Sequence, residues 1–143
     1  MSIKDMSGLE ALKAMMAGDI PHPPMAATMP SRIVHVEEGF VRFIVRADDR
    51  HLNPAQGVHG GFSATVLDTV TGVAVHSVME AGVGYSTINL NVKMIRPIPI
   101  DTELIAEGTL INRSRRLAFS EGKIKDENGK IYASGSATCM ILS

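Results

Sequence analysis

A chain of 143 residues that is 45% hydrophobic and 20% charged has the composition of one globular domain with a real core, which excludes a disordered segment. Its 14 basic and 15 acidic side chains leave a net charge of −1, without the basic surplus expected of a duplex-binding protein. One cysteine, Cys139, excludes an internal disulfide and suits a reducing compartment, and no apolar run approaches the roughly 20 residues that span a bilayer.

The opening residues MSIKDMSGLEAL are broken by Asp5 and Glu10 and lack a secretory apolar run, so a cytoplasmic protein is expected. Within 1–20, Ser7-Gly8-Leu9-Glu10 has capping-box spacing, Leu12, Met15 and Met16 follow, and Gly18 is placed to end a short helix. Residues 21–32 open on Pro21-His22-Pro23-Pro24 and read as a rigid connector. Residues 33–143 read as the core of the same domain. Apolar alternation over 33–47 around Glu38-Gly39 predicts a hairpin, and 48–58, with Asn, Pro and Gly, predicts an irregular loop.

Residues 59–80 pass without proline, and Phe62, Val66, Leu67, Val70, Val73, Val75 and Val78 cover more than one side. Length favours a helix over a strand, and a helix apolar nearly all round is a buried one. Four extended stretches follow near 84–95, 101–112, 115–126 and 130–142, with Asn128-Gly129 marking a tight turn between the last two. The fold class is α+β, and one antiparallel sheet wrapped around a long central helix buries both.

Asn53-Pro54, Gly57, His59-Gly60-Gly61 and Asp68, nine residues beyond the histidine, resemble the PaaI-like branch of the hot-dog thioesterases. The resemblance extends over the hairpin, the Asn89-Leu90-Asn91 strand ending at Pro97, and the turn at Arg113–Arg116, spanning roughly residues 20–140. It implies a hot-dog fold, a homodimer that often doubles to a dimer of dimers, and cleavage of acyl- or aryl-CoA. It also places Thr87 where relatives carry a Ser or Thr that assists the acid. The resemblance also implies that the Pro21–Pro24 segment, with His22, lines the acyl pocket; a plain surface connector is the competing reading.

Thioester hydrolysis needs a group that activates water or attacks the carbonyl, and a donor aimed at the oxyanion. Asp68 is the only acid between His59 and Glu80, inside an otherwise apolar helix. As an unpaired buried carboxylate it would be costly, which points to a general base or nucleophile; an aspartate on a partly exposed face, bonded to a nearby threonine, fits the spacing as well. Gly60 and Gly61 stand where the loop enters the helix, where the first N–H groups lack internal partners, so Gly60 N–H suits an oxyanion donor and Gly61 a substrate contact. The same pair also fits a simple tight turn. His59 is expected to orient the loop or the thioester, and Asn53 to hold water or the substrate carbonyl, unless both are loop-forming residues. Arg113, Arg115 and Arg116 form the only basic cluster and suit the phosphates of CoA, or else a solvated turn.

Gly60 and Asp68 are eight residues apart, roughly 12 Å along one helix, so one carbonyl cannot touch both. An isologous dimer with oppositely running helices would set Gly60 of one chain beside Asp68 of the other, in agreement with the sites shared between subunits that the resemblance implies. The five histidines, at 22, 35, 51, 59 and 76, show no metal-binding spacing, and no phosphate loop, dinucleotide fingerprint or serine-hydrolase elbow occurs, so no metal or cofactor is expected. Two rival functions remain at this stage: a hot-dog acyl-CoA hydratase or dehydratase, and a non-catalytic acyl-CoA binding module.

Overall fold

In the computed structural model, which describes residues 2–142, helix α1 (Gly8–Ala17) begins where the Ser7–Glu10 spacing puts it. Ser7 Oγ accepts from Glu10 N at 3.2 Å, while Glu10 Oε1 accepts from Ser7 N at 3.0 Å. These contacts satisfy two N–H groups that a helix start leaves without internal partners. Gly18 closes the helix in the left-handed region. The connector contains one further helical turn, α2 (Met25–Thr28).

Strands β1 (Ser31–Glu37) and β2 (Phe40–Arg46) form the hairpin, turning at Gly39 with φ 82°, a conformation that a Cβ disfavours. The loop after β2 is pinned from inside. His51 is buried, accepts from Asp48 N at 2.9 Å through Nδ1, and bonds through Nε2 to Thr28 O at 2.8 Å. Helix α3 (Gly60–His76) follows, then β3 (Gly84–Met94), β4 (Glu103–Arg113), β5 (Leu117–Lys125) and β6 (Ile131–Leu142). The strands build one antiparallel sheet in the order β1-β2-β4-β5-β6-β3, leaving β1 and β3 as free edges. Among the described residues no helix is long and apolar enough to cross a membrane.

Helix α3 lies in the curl of this sheet. Phe62, Val66, Leu67 and Val70 pack against Phe43, Val45, Leu104, Ala106, Ile124 and Ala133. Towards its far end a smaller cluster gathers Val75, Met79, Ala118, Cys139 and Ile141. The helix is not buried on every side, as its apolar sequence suggested. Gly61, Ala64, Thr65 and Thr69 are only half-buried and Asp68 is exposed. These residues recur at helical spacing along one flank, so the sheet covers the opposite side and leaves this one open.

The close fit of helix on sheet comes from three glycines in register. Gly108 of β4 faces Gly122 of β5, which faces Gly135 of β6. A Cβ on Gly108 would stand 2.0 Å from the Val70 carbonyl oxygen, and one on Gly122 would stand 3.0 Å from Val70 Cγ2. Without side chains along this stripe, the helix backbone settles directly onto the sheet. Gly108→Ala would therefore push on main chain rather than on a flexible side-chain tip. We expect a loss of about 3 kcal/mol or more, at the upper end for overpacking. Thermal melts should show the midpoint falling by roughly 10 °C; an unchanged midpoint would mean that helix and sheet can separate at little cost.

Candidate active site

The loop entering α3 is ordered by its own side chains. Asn53 Oδ1 accepts from Ala55 N at 3.0 Å and from Gly57 N at 3.1 Å, and Asn53 N donates to Gly57 O at 2.7 Å. This is an Asx-type turn, so the Asn53 carbonyl oxygen is committed to the loop and any hold on water or the substrate carbonyl falls to the amide nitrogen. Only its amide nitrogen remains uncommitted. His59 caps the helix, its Nδ1 accepting from Gly61 N at 2.7 Å. In the neutral ring the proton then sits on Nε2, making the exposed edge of His59 a donor.

That cap separates the two glycines. The Gly61 N–H is engaged by His59. The Gly60 N–H has no hydrogen-bond partner among the described residues and stands at the positive end of the α3 dipole. A Cβ on Gly60 would lie 2.7 Å from Met94 Sδ, so the end of β3 closes over this position. The arrangement is a lone main-chain donor on glycine, in a tight approach.

Asp68, two turns on, is exposed in the single chain, so the buried carboxylate expected from the apolar helix is not found there. Its carboxylate has no hydrogen-bond or ion-pair partner among the described residues; only its backbone carbonyl is engaged, by Thr71 Oγ1 at 3.2 Å. The side chain lies close enough to β3 and β6 for its charge to act on two groups there. Burial, then the neighbouring Cys139 and Asp68, push the Tyr85 phenol up to about 12. Burial raises the Cys139 thiol, Thr87 lowers it through a hydrogen bond, and Asp68 raises it further. Thr87 is half-buried, its Oγ1 at 3.7 Å from Cys139 Sγ. The thiol is thus kept protonated and buried in a structural role. Asp68, Thr87 and Tyr85 share one neighbourhood beside the free β3 edge.

Along the open flank of α3 runs an apolar cavity of about 320 Å³. Its walls include Met15 of α1, His22, Pro23 and Met29 of the connector, and Thr69, Val73 and His76 of α3. His22 also accepts from Ile33 N, at 3.4 Å. The connector therefore roofs a cavity and is not a plain surface strap. Two cavity residues escaped the sequence reading. Tyr85, at the start of β3, belongs to no motif in the sequence, and His76 enters there only as a histidine without metal-binding spacing. A separate groove on the outer face of the sheet is lined by the charged side chains Lys93, Glu107, Glu121 and Lys123.

The arginine cluster divides. Arg113 is half-buried and committed, donating from Nη1 to Val78 O at 2.9 Å and pairing with Glu80 Oε2 at 3.0 Å through Nη2. It clasps the turn that follows α3, so it is already engaged within the chain. Arg115 and Arg116 are exposed. Because Arg113 grips the C-terminal side of α3 while Gly60 sits at its N-terminus against Met94, one chain does not bring the arginines and the Gly60 donor together.

Comparison with known proteins identifies the family and the fold. Residues 56–133 match the family model described as the thioesterase superfamily. Mouse acyl-coenzyme A thioesterase 13 is 24% identical over 95 residues, covering 66% of this chain and 67% of that protein. Among solved structures, a phenylacetic acid degradation-related protein from Ralstonia eutropha JMP134 is 33% identical and superposes with a TM-score of 0.82 over 90% of this chain and 98% of its own. Zebrafish thioesterase superfamily member 2 is 21% identical with a TM-score of 0.76 over 92% and 96% of the two chains, a likeness of fold. The antiparallel sheet curled on one long helix is the hot-dog fold of these neighbours.

Proposed function

Because this chain belongs to the thioesterase superfamily, we propose that it hydrolyses acyl- or aryl-CoA thioesters to the free acid and CoA, at a site shared by two subunits. One observation carries the reading. A single helix carries an open main-chain donor at Gly60 and an unpaired carboxylate at Asp68, and Thr69, next to Asp68, lines an apolar cavity.

The thioester carbonyl accepts a hydrogen bond from Gly60 N–H, which strengthens as negative charge develops on the oxygen. Asp68 of the other subunit takes a proton from water as the water oxygen bonds to the carbonyl carbon; alternatively, its carboxylate attacks that carbon directly. The C–S bond then breaks, and CoA leaves as a thiolate that takes up a proton. Thr87 assists Asp68, the Nε2–H edge of His59 orients the thioester, and the Asn53 amide nitrogen is a further donor. Arg115 and Arg116 are the remaining candidates for the nucleotide phosphates.

Pairing of two chains along the free β3 edges brings oppositely running α3 helices side by side, which meets the need for Gly60 and Asp68 to come from different chains. The reading includes a dimer of dimers and a reducing cytoplasmic setting, in which the lone buried Cys139 stays a thiol. It is tested by incubating the purified protein with a panel of aliphatic and aromatic acyl-CoAs. Free thiol and free acid should appear in equal amounts with at least one member. Altered unsaturation without thiol would instead mean a hydratase, and neither product a binding module.

A further inference from the structure

The walls of the cavity are mainly apolar, with His22, Ser31, Thr65 and Thr69 among them, and Tyr85 and His76 meet at one part of the wall. The two rings stand 5.7 Å apart, centroid to centroid, and both line the cavity. His76 Nδ1 is buried with no hydrogen-bond partner, the one buried side-chain nitrogen or oxygen in that condition among the described residues. Burial lowers the pKa of the imidazole, so the ring is neutral. Its single proton is best placed on the accessible Nε2, since an unpaired buried N–H is costlier than an unpaired lone pair. The Tyr85 hydroxyl also has no partner among the described residues, and it rests against Gly72, one turn before His76 on α3, where an added Cβ would meet it at 3.1 Å. Two hydrogen-bonding groups thus converge on one part of a mainly apolar chamber, and among the described residues none pairs with the His76 Nε2 or the Tyr85 hydroxyl. The buried Nδ1 is out of a ligand's reach, so what these two side chains offer a ligand is the Nε2–H and the Tyr85 hydroxyl, and one ligand oxygen between them would pair both.

We infer that His76 and Tyr85 form a hydrogen-bonding subsite for the far end of the acyl group, and that the preferred substrate carries an oxygen there. For the identity of the ligand this rests on the thioesterase reading. Asp68, at the reacting carbonyl, and His76 are eight residues apart on α3, or roughly 12 Å along the helix. With bonds of about 1.5 Å, an extended hydrocarbon chain advances about 1.3 Å per carbon, so about nine carbons cover that distance. The cavity of about 320 Å³ lies at the small end of the range for ligand pockets, which suits a chain of this length rather than a long fatty tail. The substrate class is a medium-chain acyl-CoA with a hydroxyl or carbonyl at or next to its last carbon. His76 Nε2–H donates to that oxygen, and the Tyr85 hydroxyl donates to it or accepts from it.

The test compares decanoyl-CoA with 10-hydroxydecanoyl-CoA, following thiol release, and in parallel measures the affinities of their non-hydrolysable thioether analogues by calorimetry. Wild-type protein should favour the hydroxylated member by about 10-fold or more in kcat/KM and in affinity, because the unsubstituted chain leaves both groups unpaired. His76→Leu should abolish the preference by raising activity on decanoyl-CoA as well as lowering it on the hydroxylated chain. His76→Gln should retain part of it. Tyr85→Phe, which deletes one oxygen and leaves the ring packing, should reduce it about threefold to fivefold, and serves if His76→Leu does not fold. Equal rates and affinities for the two chains in wild-type protein overturn the subsite while leaving the hydrolase reading intact. Preferential binding of the hydroxylated analogue without thiol release from either ester upholds the subsite and overturns the hydrolase reading.

Discussion

Asp68→Asn is expected to lower the rate of acyl-CoA hydrolysis by about 10²-fold or more, the scale of losing a positioned acid–base group. Asparagine nearly matches aspartate in shape, so the variant removes basicity and charge without opening a gap. In the single chain Asp68 is exposed and its carboxylate is unpaired, so no interaction within the fold is lost with it. Thermal stability should therefore match wild type within about 0.5 kcal/mol, as for other surface substitutions. KM should also change little, because the carboxylate acts on water or on the carbonyl carbon and not on the CoA or acyl portions. The expected signature is a fall in kcat with stability and KM preserved. A folded Asp68→Asn protein with near-normal kcat would remove Asp68 from the chemistry and leave Gly60 without its counterpart.

The path from sequence to structure was short where signals are local. Ser7 and Glu10 are three residues apart and satisfy one another's main chain, so their spacing suffices to place α1. The hairpin around Glu38-Gly39 and the last turn at Asn128-Gly129 are local in the same way. The information that stayed hidden depends on register and on partners far along the chain. Gly108, Gly122 and Gly135 become a stripe only when β4, β5 and β6 are aligned; in sequence they are three scattered glycines. Arg113 reads as part of a basic cluster until folding brings Glu80 beside it, 33 residues away. Asp68 looked buried because the helix is apolar around most of its circumference, yet a run of small and polar residues (Gly61, Ala64, Thr65, Thr69) is enough to leave one flank uncovered. At the helix start the motif itself was visible, but the division of labour within it was not. His59 takes the Gly61 N–H and leaves only Gly60 open, which depends on a side-chain rotamer.

An exposed carboxylate on a flank that leads to the free β3 edge is what a shared site requires, and complementation tests it directly. Asp68→Asn chains and Gly60→Pro chains, each inactive alone, should recover activity when mixed and allowed to exchange subunits. In the heterodimer one site collects both lesions. The other keeps Gly60 from the Asp68→Asn chain and Asp68 from the Gly60→Pro chain. Random reassortment of equal amounts makes half of the dimers mixed, each with one intact site, so recovery should approach about a quarter of wild-type activity. Gly60 is the first residue of α3, the position where helices best accept proline, so the substitution removes the N–H without breaking an internal bond. Its ring would press on Met94 Sδ, at the flexible end of an exposed side chain with room to move. Native mass spectrometry of chains tagged to differ in mass would establish that each variant dimerises and that heterodimers form. Heterodimers present in that amount but inactive would overturn the shared site and require both groups to act within one chain. The roughly 12 Å of helix between Gly60 and Asp68 forbids that for a single carbonyl, so the oxyanion donor would then have to be sought elsewhere.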